Sequence, residues 1–184
     1  MNALKEVEPP YLTLSSINMR KEPLRIIGIN PGTRYLGLAV FQDRSLFDWR
    51  IKLLDGKWSK EKIDKVIDVI SEYIELYDLN TIALKKLHPA HSSKNLRLLV
   101  SRIKALAARK KIKVYQYSIK ELENFFLTEE ERHNKKTLAQ KMVSDYPFLI
   151  NELEKEKAHK NPYHLRMFEA VALGAACFHK LFKA

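Results

Sequence analysis

The chain has 184 residues, of which 46% are hydrophobic and 30% charged, with 5 Gly and 7 Pro. These proportions suit one globular domain with a single core and exclude a disordered or fibrous protein. Lys and Arg number 33 against 22 Asp and Glu, which leaves a formal charge of +11. Such an excess favours polyanionic partners, above all nucleic acid, although a solvated basic surface or an acidic protein partner would fit it too.

Cysteine content and hydropathy narrow the cellular setting. Cys177 is the single cysteine, so an internal disulfide and a cysteine-based zinc site are both excluded. The sequence shows no apolar core of the signal-peptide type, and no apolar run approaches the roughly 18 residues that a membrane span requires. We therefore expect a soluble cytoplasmic protein with no membrane contact.

The first half of the sequence predicts an arm followed by strands. Residues 1–23 are polar and contain prolines, which predicts an N-terminal arm outside a folded domain of residues 24–184. Apolar runs then predict three strands, at residues 24–29, 35–41 and 45–53. Because the links between them are short, the three strands should form an antiparallel meander.

Helical and strand patterns alternate through the second half. They predict a helix at 60–77, a strand at 81–84, a helix entered from Ser92 and Ser93, a strand at 114–117, short helices within 119–145, a charged connector at 150–162, and a last helix at 163–182. The core-facing stripe of the last helix should comprise Phe168, Val171, Ala175, Phe178 and Phe182. This order predicts an α/β fold in which helices cover a mixed sheet.

Two motifs near the start resemble a known family. The run Ile27-Gly28-Ile29-Asn30-Pro31-Gly32-Thr33, followed by Gly37-Leu38-Ala39-Val40, resembles the opening of the RuvC-like Holliday-junction resolvases. The element order from 24 to 182 also agrees with their RNase H-like fold. The resemblance implies a mixed five-stranded sheet in which the antiparallel meander is followed by two parallel strands, with flanking helices and a long C-terminal helix.

The family's metal-binding positions are mostly replaced in this chain. In the family, a carboxylate ending the first strand, a glutamate ending the fourth, and acidic or histidine residues on the last helix hold two divalent metals that serve phosphodiester hydrolysis. The matching positions here are Asn30, Lys85, Arg166 and Glu169. Only Glu169 keeps a negative charge, whereas two metal ions need several carboxylates around them.

We therefore expect the nuclease mechanism to be lost, with no bound metal and no cofactor. Either Lys85 or Arg166 should pair with Glu169, the latter through its i, i+3 spacing on one helix. The altered pocket then becomes a candidate contact for an anion or a backbone phosphate.

Basic residues after the fourth strand form the candidate nucleic-acid face. The residues assigned to it are Lys85, Lys86, Lys94, Arg97, Arg102 and Lys104. DNA is favoured over RNA. A second basic cluster at residues 132–136 follows Glu129, Glu130 and Glu131, which should neutralise it locally. Zinc binding by His88, His91 or His164 has little support because no third ligand is evident.

Three functions follow from these observations. The leading one is a catalytically inactive RuvC-like protein that binds nucleic acid. The first alternative is a nuclease with a displaced magnesium or manganese site, formed by Glu169 with Asp43, Asp48 or Asp145. The second is a protein-interaction scaffold, because a fold alone does not specify a function. The sequence leaves open whether the chain forms a homodimer or binds another protein.

Overall fold

The computed structural model describes residues 22–158 and 163–182, so the predicted arm lies outside the described residues except for its last two positions. The strands are β1 (Arg25–Asn30), β2 (Tyr35–Gln42), β3 (Ser45–Leu53), β4 (Thr81–Lys85) and β5 (Lys113–Tyr117). The α-helices are α1 (Lys60–Leu76), α2 (Lys94–Arg109), α3 (Ile119–Phe126), α4 (Lys135–Asp145), α5 (Ile150–Ala158) and α6 (Leu165–Phe182). A short 3₁₀ helix covers Pro147–Leu149.

The five strands form one mixed sheet in the order β3-β2-β1-β4-β5. β1 pairs antiparallel with β2, and β2 pairs antiparallel with β3. β4 runs parallel to β1 on one side and to β5 on the other. The predicted fold class is therefore confirmed, including the meander and the two parallel strands.

Helices cover both faces of the sheet because side chains along each strand alternate between them. Ile27 and Ile29 of β1 pack with α1 and α2, whereas Ile26 of the same strand packs with α6 and with α3, α4 and α5. β4 repeats the pattern, with Leu84 on the α1 and α2 side and Ala83 on the α6 side. The sheet thus separates two apolar cores.

The sequence prediction was wrong in two places on the α6 side. Residues 150–158, predicted as a connector, form helix α5, which buries Leu153 and Glu156 one turn apart. The segment has few apolar residues, so its helical periodicity was not recognised in the sequence. Phe182, predicted to face the core, is 75% exposed because it is the last residue of α6 and stacks on Phe178 instead.

Two glycines in the sheet allow α6 to lie very close to it. A Cβ atom on Gly28 of β1 would collide with the carbonyl of Ala170, and one on Gly37 of β2 would collide with the carbonyl of Arg166. Only a residue without a side chain fits at these two contacts. They set the depth at which the second turn of α6 sits over the sheet.

Candidate functional site

Three elements bring the matched positions together at one edge of the sheet. Asn30 is the last residue of β1 and Lys85 the last of β4. Because these strands are parallel neighbours, both side chains emerge at the same edge. Glu169 lies on α6 between the two turns that contact Gly37 and Gly28, so the close helix packing carries its carboxylate down to Asn30 and Lys85.

The carboxylate of Glu169 is held from three directions. Its Oε2 atom accepts a hydrogen bond from Asn30 Nδ2 at 2.6 Å and another from Lys85 Nζ at 2.8 Å. Lys135 Nζ lies 2.8 Å from the other oxygen, Oε1, in an ion pair whose angles are poor for a directed hydrogen bond. Glu169 itself is 1% exposed. We call Asn30, Lys85, Lys135 and Glu169 the ion cluster.

Electrostatics in the ion cluster keep the carboxylate ionised. Burial by itself would raise the pKa of Glu169, but Lys85 and Lys135 together outweigh burial and hold that pKa below its usual range. The pKa of Lys85 is lowered, chiefly by burial. Glu169 opposes that shift, while the nearby charges of Lys135 and Arg166 add to it. Two ammonium groups thus contact one carboxylate, and the charge of Arg166 acts on Lys85 from nearby.

Lys135 is the member of the ion cluster that sequence reasoning missed. Its neighbours Glu129, Glu130 and Glu131 were expected to neutralise this basic segment, but Glu131 instead accepts a hydrogen bond from the backbone amide of Thr128. Asn134 caps α4, which places Lys135 at the first position of the helix, where α4 packs on α6. No sequence spacing links residue 135 to residue 169, so no signal in the sequence identifies this contact.

Arg166 does not form the predicted partnership with Glu169. Its guanidinium turns toward the β1–β2 turn, where Nη1 donates to the carbonyl oxygen of Pro31 at 3.5 Å and lies against Gly32. The expected pairing with Lys85 is confirmed instead. The i, i+3 spacing did not predict the partner because the Glu169 carboxylate faces the ends of β1 and β4. Lys85 is the last residue of β4 and therefore lies next to that carboxylate.

The ion cluster does not suit two divalent metals. Ammonium groups lie at 2.8 Å from both oxygens of its one carboxylate. Asn30 adds a neutral amide whose Oδ1 has no hydrogen-bond partner among the residues that the structure describes. Across residues 22–158 and 163–182, no group of three or more His, Cys, Asp or Glu side chains could hold a metal ion. Each added cation a few ångströms away opposes a metal.

The carboxylates considered for a displaced metal site lie elsewhere. Asp43 accepts from the backbone amide of Leu24, at the opposite end of β1 from Asn30. Asp48 accepts from the Tyr77 hydroxyl, on the α1 side of the sheet. Asp145 pairs with Lys141 at the end of α4. The structure therefore brings none of them to Glu169.

Part of the predicted basic face surrounds a surface hollow beside β4. Lys86, Arg97 and Lys104 line a hollow of about 360 Å³, together with Leu87, Val100, Ser101 and Gln116. We call it the basic hollow. Lys94 is exposed at the first position of α2, whereas Arg102 turns away and pairs with Asp64 of α1 at 2.7 Å. Lys85 belongs to the ion cluster on the opposite face of the sheet.

The histidines within the described residues do not assemble a zinc site. The rings of His88 and His91 stack with their centroids 4.5 Å apart, and His88 Nδ1 accepts from the backbone amide of Ala90. His164 lies far along the chain, with Nδ1 3.3 Å from a carboxylate oxygen of Glu152.

Comparison with solved structures identifies the architecture. Thermus thermophilus RuvC, solved in complex with a Holliday junction substrate, matches 86% of this chain and 96% of its own, with a TM-score of 0.62 and 18% identity. The chain has the RNase H-like fold of RuvC-type resolvases. No protein-family model and no curated protein sequence matches it.

Two further resolvase structures share this fold. The yeast mitochondrial Holliday junction resolvase matches 87% of this chain and 80% of its own, with a TM-score of 0.57 and 12% identity. The fowlpox virus resolvase, solved with Holliday junction DNA, matches 86% of this chain and 99% of its own, with a TM-score of 0.54 and 16% identity.

Within the described residues, no helix is long and apolar enough to cross a membrane.

Proposed function

We propose that this protein is a non-catalytic member of the RuvC-fold group that binds DNA and holds a backbone phosphate at the ion cluster. The observation that carries the proposal is the placement of two lysine ammonium groups on the carboxylate of Glu169. Ammonium groups cannot activate water as a metal ion does, but they bind phosphate oxygens well. The ion cluster is therefore suited to binding and not to hydrolysis.

The positive charge at the ion cluster exceeds the negative charge of Glu169. Lys85 and Lys135 supply two positive charges against its single negative charge, and the guanidinium of Arg166, near enough to lower the pKa of Lys85, adds to the local excess. The Lys135 side chain is 51% exposed and that of Lys85 is 19% exposed, so Lys135 is the more accessible of the two to a ligand from solvent. A phosphate there would receive charge-assisted hydrogen bonds that Glu169 alone does not use up.

The basic hollow offers a second contact for the same strand or a neighbouring one. Lys85 and Lys86 are consecutive at the end of β4, and alternation sends their side chains to opposite faces of the sheet. The two sites therefore meet at one sheet edge. Two of the structures with this fold were solved with Holliday junction DNA, which supports DNA as the ligand and makes a four-way junction the first substrate to test.

Binding and cleavage are measured together on fluorescent four-way junction, duplex, single-stranded DNA and RNA, with Mg²⁺ or Mn²⁺ present. We expect junction binding whose affinity falls linearly with salt on a logarithmic scale, with no strand cleavage. Metal-dependent cleavage lost in Glu169→Gln would favour the nuclease alternative. Salt-insensitive binding to a protein, with none to DNA or RNA, would favour the scaffold alternative.

Charge-reversal variants test whether the basic hollow is the surface that binds DNA. Arg97→Glu with Lys104→Glu should lower DNA affinity at least tenfold because both side chains line the basic hollow. The matched control is Arg44→Glu with Lys113→Glu, an equal charge change at two exposed positions on the opposite edge of the sheet. Equal losses in the two double variants would show a non-specific charge effect and would contradict this surface.

A further inference from the structure

A surface hollow lies beside the end of β3, at the same end of the sheet as the ion cluster. It has a volume of about 530 Å³ and is lined by Tyr35, Trp49, Arg50, Ile51, Leu53, Glu152, Tyr163, His164 and Met167. Three of these nine residues are Tyr or Trp, and the volume lies in the range of about 300–1,000 Å³ typical of small-molecule sites. We call it the aromatic hollow.

The aromatic hollow and the ion cluster lie at the same end of the sheet, with Met167 and Glu169 on different sides of α6. Met167 lines the hollow, and Glu169 lies two residues further along α6. Tyr35 begins β2 and pairs with Leu53 at the end of β3, while β1 and β4 carry Asn30 and Lys85 on the other side. Since neighbouring strands lie about 4.8 Å apart, β3 is roughly 10–15 Å from the ends of β1 and β4.

The lining combines flat apolar surface with polar groups. The rings of Tyr35 and Tyr163 stack at 5.3 Å, which holds both in place at the wall. Glu152 and Arg50 also line the wall. The Glu152 carboxylate is already paired with Lys155 and His164. The Arg50 Nε atom donates to Asp48, which leaves the terminal N–H groups of Arg50 outside that bond. Arg34 adds positive charge, with its guanidinium carbon 6.0 Å from the centre of the Tyr35 ring. Aromatic faces with hydrogen-bonding groups and nearby cations are what an unpaired base recognises.

We propose that the aromatic hollow binds an unpaired nucleobase from the DNA strand whose phosphate contacts the ion cluster. This inference rests on the proposed function and deepens it, because it assigns the protein a preference for DNA with an unstacked nucleotide. A paired base inside a duplex stays stacked on its neighbours and cannot enter the hollow. Arg34, which is exposed and lies beside the Tyr35 ring, favours an anionic strand at the rim over a neutral ligand.

Tryptophan fluorescence tests the contact directly. The chain has two tryptophans, and Trp58→Phe leaves Trp49 of the aromatic hollow as the one emitter. Trp58 packs with the opposite core, near Lys62. The probes are a duplex with one bulged thymidine, the same duplex with an abasic residue in the bulge, and the fully paired duplex.

The bulged thymidine should quench Trp49 with saturation and bind at least about fivefold more tightly than the abasic bulge, the lower end of what stacking of one base provides. The fully paired duplex should bind weakly and leave Trp49 unquenched. Equal affinity for both bulges without quenching would overturn the aromatic hollow as a base site while leaving the proposed function intact. No binding to any DNA would overturn both.

Substitutions of Tyr35 distinguish the contribution of its aromatic ring to base binding from an effect on folding. Tyr35→Phe keeps the aromatic face and should keep the preference for the bulged thymidine, whereas Tyr35→Leu keeps apolar bulk and should reduce that preference at least about threefold. Phe182→Ala removes an exposed aromatic ring from the far end of α6 and serves as the control. An equal preference in Tyr35→Leu and Phe182→Ala would overturn the assignment, because both variants preserve the buried cores.

Discussion

The Nζ atom of Lys85 lies 2.8 Å from the Oε2 atom of Glu169, at the end of the strand where RuvC-like resolvases are expected to carry a glutamate. Lys85 thus places a cation against a buried carboxylate. Lys135 reaches the other oxygen from α4 at the same distance. The charges of the ion cluster thus oppose one another within it, and its three charged residues, Lys85, Lys135 and Glu169, should contribute unequally to the stability of the protein.

The stability series ranks these contributions. Glu169→Gln should lower the free energy of unfolding by about 3 kcal/mol because it leaves Lys85 as a buried cation without its partner. Lys85→Met should cost less, about 1–2 kcal/mol, since Lys135 and Asn30 still hold the carboxylate. Lys135→Met should cost at most about 1 kcal/mol because its side chain is half exposed. Urea unfolding measures all three.

A double variant provides the control for that series. Lys85→Met with Glu169→Gln removes both buried charges, so its loss should be smaller than the sum of the two single losses. A loss equal to that sum would show that the two residues do not interact, against the distance observed.

The sequence predicted the fold well because the sheet is built from local patterns. The apolar runs at 24–29 and 81–84 and the amphipathic period of α1 each specify their own element, observed as β1, β4 and α1. The glycine-bearing strands could be matched to a known family for a similar reason. Gly28 and Gly37 serve the close packing of α6 on the sheet in this chain.

Contacts between distant segments could not be predicted in the same way. Lys135 and Glu169 are linked by the packing of α4 on α6, which leaves no trace in the spacing of either segment. Arg166 had the favourable helical spacing, yet its guanidinium turns to the carbonyl of Pro31. α5 was missed because its few apolar residues are separated by charged ones.

Acid should weaken the ion cluster through Glu169. Its pKa in the folded protein is held below the unfolded value by Lys85 and Lys135, against the effect of burial. The stabilisation from its ionised form is therefore complete above the unfolded pKa of about 4.3 and is lost as pH falls through the lower folded pKa. The stability difference between the wild type and Glu169→Gln should be constant from pH 6 to 7 and shrink in acid.

Urea unfolding from pH 3 to 7 measures that difference. Exposed acidic residues whose pKa is also lowered, such as Glu75 and Glu121, are present in both proteins and cancel in the comparison. A difference that grows toward low pH would mean that the pKa of Glu169 is raised in the folded protein, contrary to the effect of its two lysines.

Metal affinity should appear once the cations are replaced. The variant Asn30→Asp, Lys85→Glu, Lys135→Met has three carboxylates at this site, where the wild type has only that of Glu169. At Mn²⁺ about ten times the dissociation constant, binding adds about 1.4 kcal/mol, which raises the Tm by about 4 °C. The matched control carries Lys85→Gln in place of Lys85→Glu and should shift much less. Equal shifts in both variants would place the ion elsewhere.

The occupancy of Glu169 in the wild type is tested most directly by soaking crystals in MnCl₂ and examining the anomalous difference map around Asn30, Lys85 and Glu169. We expect no manganese peak there, with the ammonium groups of Lys85 and Lys135 remaining on the two carboxylate oxygens. A manganese ion coordinated by Glu169, with either lysine displaced, would contradict the account and return the site to metal-dependent chemistry.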